Sequence, residues 1–575
     1  MEENQFSTMA WRWSIALVLL LLSFGSPVNY TGCDSWGSLL TSQAILQRGT
    51  IDLNGYPRNV EELGYRVKDD EGRACYYFPT GPSILAMPAV WAANGVGLSM
   101  TRRQDDVLVQ RVLATVLFVA IFLVLCRIFE SGMTGGWATA TALIFTLGTG
   151  IASTVSRAYW NQGPALFLVL AALMLVLGER RTVGRIFWAG LLAGLAFWCR
   201  PTAALGIVCL AILPQIRCRR LLWAYGLGVA AVLLAFAAFS IQYFGELVPP
   251  YFRGSRLGAV SFEAMAGVLV SPSRGLLIVS PFLIPLLCVV PWALRRNGQR
   301  LPILLALGWI GALVVSLSRF EHWWGGHCFG SRFMVDSLPA FILLAVSLNP
   351  IMKEWPKGRR LVLGAVLVLA LPSMGINTVK GVFTKETAIW NGIPNIDRHP
   401  ERIWSWSSRQ WAADHRTVLA YRTSEKRKAG MPILPDTVSA SSGDAVFYGW
   451  NGCEHSKSGS ESWRWARNSQ ASVAWVHGHT TRPDSLRLVL NAKAPHEVEV
   501  LLNGVKVGEA WREGWPRSET SFAVTEEAWK SRLWEGHDPA ELSVLTIRRP
   551  WPQRWYRQAS LGFWEAGYRS AEVTP

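Results

Sequence analysis

Asp34 is the first residue whose type and position could support catalysis. It lies in the turn Gly32-Cys33-Asp34-Ser35, directly after the first apolar run. A carboxylate at the lip of a membrane cavity could take a proton from a hydroxyl group, or hold a divalent cation beside a phosphate. The competing interpretation is that Asp34 caps the amphipathic helix predicted over residues 35–47. The sequence leaves both interpretations open.

Arginines form the second candidate set, because seven of them lie at the predicted outer ends of apolar runs. A guanidinium group carries a permanent charge and a planar fork of donors that matches phosphate oxygens. The alternative is that they snorkel to lipid headgroups or pair with nearby glutamates. We predict that Arg157, Arg200, Arg256 and Arg332 bind a phosphate. The other three arginines are Arg253, Arg274 and Arg319.

The segment of residues 319–333 joins two apolar runs and is rich in Trp, His and Gly. Its Trp pair suits a membrane interface or the face of a sugar, and its glycines allow the backbone to approach a ligand closely. We therefore expect Trp324 and His327 to contact substrate. Asp336, one turn beyond Arg332, is expected to form an i,i+4 ion pair with that arginine, although a carboxylate within a membrane is also a functional candidate.

Metal and disulfide sites have weaker support. Glu321, His322 and His327 could bind a metal ion, but their spacing matches no strong template, so no metal ligands are predicted. The cofactor is unknown, and a divalent cation stays open because carboxylates often hold one beside a phosphate. Cys33 and Cys75 both fall in the first long loop, so a disulfide can form between them in an oxidising compartment.

Long apolar runs must position these residues. Half of the 575 residues are hydrophobic and 17% are charged, with a net charge of +16. Soluble proteins carry about 25% charged residues, so the composition argues against a water-soluble enzyme. A helix needs about 20 apolar residues to cross a bilayer, and about eleven runs are candidates, which predicts a mainly α polytopic bundle. They are residues 11–28, 107–126, 136–155, 163–178, 186–199, 202–216, 221–244, 275–292, 301–318, 333–349 and 361–378.

The charges of the loops predict an orientation. With the N-terminus inside, the inside loops carry fourteen basic and three acidic residues, which agrees with the positive-inside rule. The same orientation puts residues 29–106, residues 319–332 and the C-terminal third outside. The sequence therefore predicts a multi-pass protein of the cell membrane with extracytoplasmic loops. The basic excess is then a topology signal and does not predict a nucleic-acid partner.

Three domains are predicted: residues 1–379 in the membrane, residues 380–430 as a linker at its surface, and residues 431–575 as an extracytoplasmic β-sandwich. Asn503-Gly504 between two alternating runs is a strong hairpin signal. The sandwich could bind carbohydrate or cap the active site, and the sequence does not choose between them. Its predicted strands are Ala471–His477, Ser485–Leu490, His496–Leu502, Val505–Ala510, Ser518–Val524 and Ser543–Ile547.

The order and placement of several short motifs resemble the GT-C superfamily of membrane glycosyltransferases. The chain looks similar to bacterial relatives of the protein mannosyltransferases and the lipid A aminoarabinose transferase, over residues 10 to about 350. The motifs are Asp34 after the first span, Tyr77-Phe78-Pro79-Thr80-Gly81-Pro82, Ser156-Arg157 before Asn161, Cys199-Arg200-Pro201-Thr202, and Phe329-Gly330-Ser331-Arg332-Phe333.

The resemblance implies a catalytic role for Asp34 and donor-phosphate binding by the outer arginines. It implies transfer of a hexosyl or pentosyl group from a polyprenyl-phosphate sugar to a glycan, lipid or protein acceptor, among membrane lipids. Tyr77 and Asn161 are added as substrate-binding candidates. One departure is that Asn161-Gln162 stands where relatives often have an acid, and an amide cannot serve as a base.

Two rival functions remain at this stage. A transporter or lipid flippase should show internal repeats and broken helices that meet at the membrane midplane. The sequence shows no convincing repeat, and its polar residues gather at the predicted outer face. A sugar-binding membrane anchor without activity would depend on the C-terminal domain alone.

Overall fold

The computed structural model divides the chain into two compact units, Met1–Ala412 and Ala413–Pro575. Unit 1 is helical and unit 2 is mainly β-structure, and each has its own hydrophobic core. The structure describes residues 2–56, 60–70, 72–213, 216, 218–253, 258–296, 299–392, 394–430, 437–442, 445–448, 450, 454–455, 462–465, 470–477, 482–492, 496–512, 518–533, 537–539, 542–548 and 561–569.

In unit 1 a helix lies at each of the eleven predicted apolar runs. Within the described residues, five helices are both long enough and apolar enough to cross a membrane, and five shorter apolar helices accompany them. Helices of this length and composition indicate a membrane protein. The number of eleven spans and their orientation stay predictions. The five are Arg103–Glu130, Arg219–Phe244, Arg300–Ser318, Arg332–Lys353 and Pro356–Phe383.

The remaining helices of unit 1 connect or flank these five. Two segments are π-helical, Ile151–Val155 and Gly375–Phe383, and the second ends the last long helix. The other α-helices are Glu2–Phe24, Ser38–Arg48, Val60–Leu63, Gly81–Gly95, Gly135–Gly148, Gln162–Leu177, Val183–Cys199, Ala204–Ile212, Phe262–Val270, Leu276–Val279, Ile284–Ala293 and Lys385–Ile389. The long helices Arg332–Lys353 and Pro356–Phe383 contain the α-helices Leu338–Lys353 and Pro356–Met374. The 3₁₀ segments are Gly64–Arg66, Pro201–Ala203, Pro250–Arg253, Pro281–Leu283, Arg332–Ser337, Pro400–Trp404 and Gln410–Ala412.

Helices Val183–Cys199 and Arg219–Phe244 pack backbone to backbone through small residues. A Cβ atom at Gly190 would lie 2.1 Å from the backbone oxygen of Tyr225, a distance that any side chain larger than hydrogen forbids. Close approach through glycine is a common way for membrane helices to associate, because lipid offers no hydrophobic drive to bring them together. This contact fixes the helix whose C-terminal end carries Arg200.

The first loop folds as a small subdomain around the turn that carries Asp34. It contains helix Ser38–Arg48, an antiparallel hairpin of Val67–Asp70 and Arg73–Tyr76, and helix Gly81–Gly95. The helix predicted over residues 35–47 is thus confirmed, with a shift of three residues at its start and one at its end. Cys33 and Cys75 are free thiols, so the disulfide between them is not formed.

Unit 2 begins with helix His415–Lys428 and continues as two antiparallel sheets whose side chains share one hydrophobic core. The five-stranded sheet has the order Val505–Arg512, His496–Leu502, Leu542–Arg548, Gln470–Val476 and Val446–Tyr448. The six-stranded sheet has the order Ser518–Ala523, Ser485–Ala492, Leu561–Arg569, Ser462–Trp465 and Glu454–His455, with Thr437–Ser439 also paired to Leu561–Arg569. A short helix, Glu526–Lys530, precedes the strand at 542–548.

All six predicted strands are present in unit 2, and the hairpin signal is confirmed. Leu502 pairs with Val505 across the turn. Asn503 and Gly504 have φ of 48° and 85°, the left-handed conformations that a two-residue type I′ turn requires. The strands at 437–439, 446–448, 454–455, 462–465 and 561–569 were not predicted. The first four have two to four residues, which are too few to show alternation.

Candidate active site

Three turns of unit 1 meet around Asp34. One follows helix Glu2–Phe24 and carries Asp34, one follows helix Val183–Cys199, and one opens the 3₁₀ segment Arg332–Ser337. The second turn is set by sequence, because a residue before proline is restricted to extended conformations. Arg200, with φ −161° and ψ 123°, accordingly ends its helix.

Both carboxylate oxygens of Asp34 accept hydrogen bonds. The hydroxyl of Tyr65 donates to Oδ1 at 2.8 Å, and Nη2 of Arg332 donates to Oδ2 at 2.5 Å. The backbone oxygen of Asp34 accepts a third bond, from the hydroxyl of Tyr76. Helix Ser38–Arg48 has no side-chain N-cap bond, so the capping interpretation of Asp34 is wrong.

Arg332 is held in place from several directions. Its side chain is 5% exposed, whereas that of Asp34 is 25% exposed, so the carboxylate is the more accessible partner of the ion pair. The guanidinium carbon lies 4.0 Å from the centre of the Trp160 ring, and Nη1 donates to the backbone oxygen of Gly325 at 3.4 Å. The cation–π contact adds electrostatic attraction where water is excluded.

A second ion pair joins Arg200 to Asp336. The hydroxyl of Thr202 donates to the same carboxylate oxygen at 2.6 Å. The predicted i,i+4 pair between Arg332 and Asp336 is therefore wrong. Arg332 and Asp336 lie in the 3₁₀ segment Arg332–Ser337, and each pairs with a residue from another part of the chain.

Asn161 and Gln162 connect the two ion pairs. Nη1 of Arg200 donates to the side-chain oxygen of Asn161 at 3.2 Å. With its amide oxygen turned towards the guanidinium groups, Gln162 accepts from Nε of Arg332 at 3.1 Å and from Nη1 of Arg200 at 3.2 Å, and its amide nitrogen donates to Asn161 at 2.6 Å. Two cations thus face one neutral amide.

We call Asp34, Arg332, Gln162, Arg200 and Asp336 the ion-pair cluster. Burial by itself would raise the pKa of Asp34, but the charge and hydrogen bond of Arg332 and the hydrogen bond of Tyr65 outweigh it and hold that pKa below its ordinary value. Asp34 is therefore ionised at neutral pH. Burial, followed by the Asp34 charge, raises the pKa of the Tyr65 phenol, which stays protonated and able to donate.

The thiol next to Asp34 is not a nucleophile at neutral pH. Burial, followed by the charge of Asp34, raises the pKa of Cys33 to about 12, and a protonated thiol attacks poorly. Its Sγ donates to the backbone oxygen of His327 at 3.5 Å. Cys33 thus joins the first loop to the 319–333 segment.

Arg157 and Arg274 have a different environment from the cluster. Arg157 donates to the backbone oxygens of Ser23 and Val28 at 2.9 and 3.0 Å. Arg274 donates to the backbone oxygens of Cys328 and Gly326 at 2.9 and 3.2 Å and to the side chains of Asn391 and Gln410. We call these two the carbonyl-bound arginines, and their contacts indicate a structural role.

Tyr77 lies apart from the ion-pair cluster. Its ring contacts Tyr251 at 5.5 Å and lies 4.3 Å from the ammonium group of Lys68. These residues line a cavity of about 180 Å³ with Phe78 and Phe252. The cavity is a neighbour of the cluster, since Tyr76 both lines it and donates to Asp34.

Trp324 and His327 converge on Asp397, a carboxylate that sequence reasoning did not select. The indole nitrogen of Trp324 donates to Oδ1 of Asp397 at 2.9 Å, and Nε2 of His327 lies 3.7 Å from Oδ2. His327 also contacts Asn395 at 3.2 Å. Asp397 lies in a polar stretch without recognisable pattern, so its sequence gave no signal for this contact.

The donor set does not fit a resident divalent cation. The two carboxylates of the ion-pair cluster, Asp34 and Asp336, are each paired with an arginine. Within the ranges that the structure describes, no group of three His, Cys, Asp or Glu side chains could hold one. Arg256, a predicted phosphate ligand, lies outside the described residues.

Comparison with known proteins gives a limited similarity. No family model and no curated protein matches the chain. Among solved structures, the oligosaccharyltransferase AglB from Archaeoglobus fulgidus, in complex with an inhibitory peptide and a dolichol-phosphate, is similar at 12% identity and a TM-score of 0.42 over 70% of this chain. The arabinofuranosyltransferase AftD from Mycobacteria is similar at 10% identity and a TM-score of 0.38 over 98% of this chain.

This chain spans 60% of the AglB chain and 61% of the AftD chain. Values this low do not carry the activities of those proteins over to this one.

Proposed function

We propose that the protein is a membrane glycosyltransferase that moves a sugar from a polyprenyl-phosphate donor to a hydroxyl group of an acceptor on the extracytoplasmic face. The observation that carries the proposal is the ion-pair cluster. It holds two buried guanidinium groups beside one ionised carboxylate that is partly open to solvent. Those are the groups needed to bind a phosphate and activate a hydroxyl.

Arg332 would exchange partners when the donor binds. In the cluster its charge is neutralised by Asp34. A phosphate that reached Arg332 and Arg200 would compete with the carboxylates for the N–H groups of the two guanidinium groups. A guanidinium binds phosphate as well as carboxylate, with the same planar fork. Diversion of Arg332 would release Oδ2 of Asp34, and a carboxylate without that ion pair is a stronger base.

The reaction is a single displacement at the anomeric carbon of the donor sugar. Asp34 takes the proton of the acceptor hydroxyl, whose oxygen forms the new bond to the anomeric carbon. The bond from that carbon to the phosphate oxygen breaks, and the electron pair leaves with the polyprenyl phosphate. The two arginines stabilise the negative charge that grows on this oxygen, in a buried site where such contacts are strong. Attack from the opposite side inverts the anomeric configuration.

The four residues predicted to bind substrate take different positions in this arrangement. Asn161 belongs with the phosphate-binding arginines, because it bonds Arg200. Trp324 and His327 would contact the acceptor, since their segment borders Asp34 through Cys33. Tyr77 would contact apolar parts of a substrate in its aromatic cavity.

The decisive experiment incubates the purified full-length protein with a panel of polyprenyl-phosphate sugars and a crude acceptor fraction. Release of free polyprenyl phosphate, together with labelled sugar in the acceptor, is the expected result. A panel that releases none from any donor, with protein that is folded by circular dichroism, would contradict the proposal.

A further inference from the structure

A further cavity of unit 1 is lined by none of the residues of the ion-pair cluster. It has a volume of about 710 Å³, within the range of sites that hold drug-sized ligands. We call it the tryptophan pocket. Among its lining residues are Glu263, Arg319, Glu321, Trp323, Trp324 and Glu401.

The aromatic wall of the pocket is rigid. Trp323 is 8% exposed and packs directly on Gly267, where a Cβ atom would lie 2.2 Å from the indole ring. Its ring meets Trp324 edge to face, with centroids 6.0 Å apart, and lies 6.2 Å from Trp404. Trp323 thus supports Trp324, the partly exposed indole of the pocket, whose ring suits the stacking of a sugar or of a cation.

The charge of the pocket is negative. Three carboxylates line it, those of Glu263, Glu321 and Glu401, against one guanidinium group, that of Arg319. Glu263 is held by the indole nitrogen of Trp404 at 3.1 Å, and Arg319 donates to the backbone oxygen of Gly258 at 3.0 Å. Such a surface repels phosphate and attracts ammonium groups.

The pocket is adjacent to the reaction site along one loop. Trp324 lines the pocket and precedes Gly325, whose backbone oxygen accepts from Arg332 at 3.4 Å. A ligand in the pocket would therefore lie beside the groups that the transfer uses. The phosphate end of a donor would be held by arginines, so the pocket is left for the other substrate.

We propose that the tryptophan pocket binds the acceptor glycan through a sugar that carries a protonated amino group. The role as acceptor site rests on the proposed function, whereas the binding chemistry does not. The indole of Trp324 would stack on the sugar ring, and Glu263 and Glu321 would pair with the ammonium group. The volume accommodates more than one sugar ring, so an oligosaccharide is expected in place of a free monosaccharide.

The test is calorimetric titration of the full-length protein, in phosphatidylcholine nanodiscs at neutral pH, with a glucosamine trisaccharide and with its N-acetylated counterpart. Acetylation removes the charge and keeps the ring. We expect the free amine to bind about tenfold more tightly, from cation–π and exposed ion-pair contributions. Equal affinity for the two sugars would overturn the proposal.

A matched pair of variants tests the carboxylates. Glu263→Gln with Glu321→Gln should remove the preference for the amine. Glu179→Gln with Glu354→Gln removes the same charge from exposed positions outside the pocket and should leave the preference unchanged. Retained preference in the pocket variant would overturn the proposal. A second outcome would also overturn it: if sugar binding is lost in nanodiscs that contain phosphatidylethanolamine, the pocket binds the ammonium group of a lipid and not that of a sugar.

The outcomes separate this inference from the proposed function. Sugar transfer without amine-selective binding would leave the glycosyltransferase intact and reject the pocket. Amine-selective binding without transfer from any donor would support the pocket chemistry and reject the reaction.

Discussion

Two groups of buried arginines in unit 1 differ in what neutralises them. Arg332 and Arg200 pair with carboxylates and share one amide, whereas Arg157 and Arg274 donate to backbone oxygens and neutral side chains. When phosphate displaces a carboxylate from an arginine, the released carboxylate can act as a base. An arginine displaced from carbonyl groups releases no base, and each of those buried oxygens loses a hydrogen bond to a charged donor, which costs free energy. Only the first kind therefore releases a base when it exchanges partners.

The largest expected effect is that of Asp34→Asn. The amide keeps the shape of the side chain but cannot accept the acceptor proton, so the transfer rate should fall by about 10²–10⁴-fold. The measurement is release of polyprenyl phosphate under saturating donor, with folding checked by thermal unfolding. Asp34→Asn protein that transfers at the wild-type rate would remove Asp34 from the mechanism.

Arg332→Lys should have the next largest effect. Lysine keeps the charge but loses the planar fork and the stacking on Trp160, so we expect a loss of about 10–100-fold in kcat/KM for the donor. Arg253→Lys, at an exposed arginine paired with Glu246, is the control and should behave as wild type. An equal response of both variants would show that Arg332 has no special role.

Arg274→Gln tests the second group of arginines, and we expect it to lower stability without lowering kcat. Four acceptors lose a charged donor, although each keeps another hydrogen bond, so the free energy of unfolding should fall by about 2–4 kcal/mol. The protein that remains folded should keep its kcat, because Arg274 makes no contact with the ion-pair cluster among the described hydrogen bonds. Thermal unfolding and single-turnover transfer separate the two effects. A loss of kcat with unchanged stability would place Arg274 in the reaction.

The pH dependence should distinguish the free protein from its donor complex. The lowered pKa of Asp34 means that its stabilising contribution is present above about pH 4 and is lost as the pH falls through the folded-state value. Once phosphate diverts Arg332, the pKa of Asp34 should rise. The acid limb of kcat should then lie at higher pH than the acid limb of kcat/KM, and coincident limbs would argue against partner exchange.

Tyr65→Phe should have the smallest effect. It removes one hydrogen bond to Asp34, worth about 1–2 kcal/mol to a charged acceptor, and keeps the ring. We expect kcat/KM to fall several-fold and its acid limb to move to higher pH, since that hydrogen bond lowers the pKa of Asp34. Tyr56→Phe, whose hydroxyl contacts Gln47 instead, is the matched control. An unchanged acid limb in Tyr65→Phe would show that the phenol does not position Asp34.

Local patterns in the sequence predicted the elements well. Apolar runs marked the helices, alternation marked six strands of unit 2, and Asn503-Gly504 marked a hairpin with two left-handed residues. These features depend on neighbours in the chain, through backbone geometry and burial of one face. The Arg200-Pro201 break was also readable, because proline restricts the residue before it.

The pairing of charges was not readable from sequence. The spacing of four residues favoured an ion pair between Arg332 and Asp336. In the structure the 3₁₀ segment Arg332–Ser337 and the fold pair Arg332 with Asp34, and Arg200 with Asp336. Tyr65 and Asp397 gave no signal either, because each acts through a partner more than thirty residues away. Contacts of that kind depend on how helices pack.

The sequence by itself determined a helical membrane unit, a strand-rich C-terminal unit, and a small set of polar residues at the ends of apolar runs. The tertiary structure alone decided which of those residues share a site. It separated arginines with carboxylate partners from arginines with carbonyl partners, although all are buried and chemically identical. The physical reason is that a buried charge is defined by the groups packed around it, and close helix contacts such as Gly190 on Tyr225 bring those groups together.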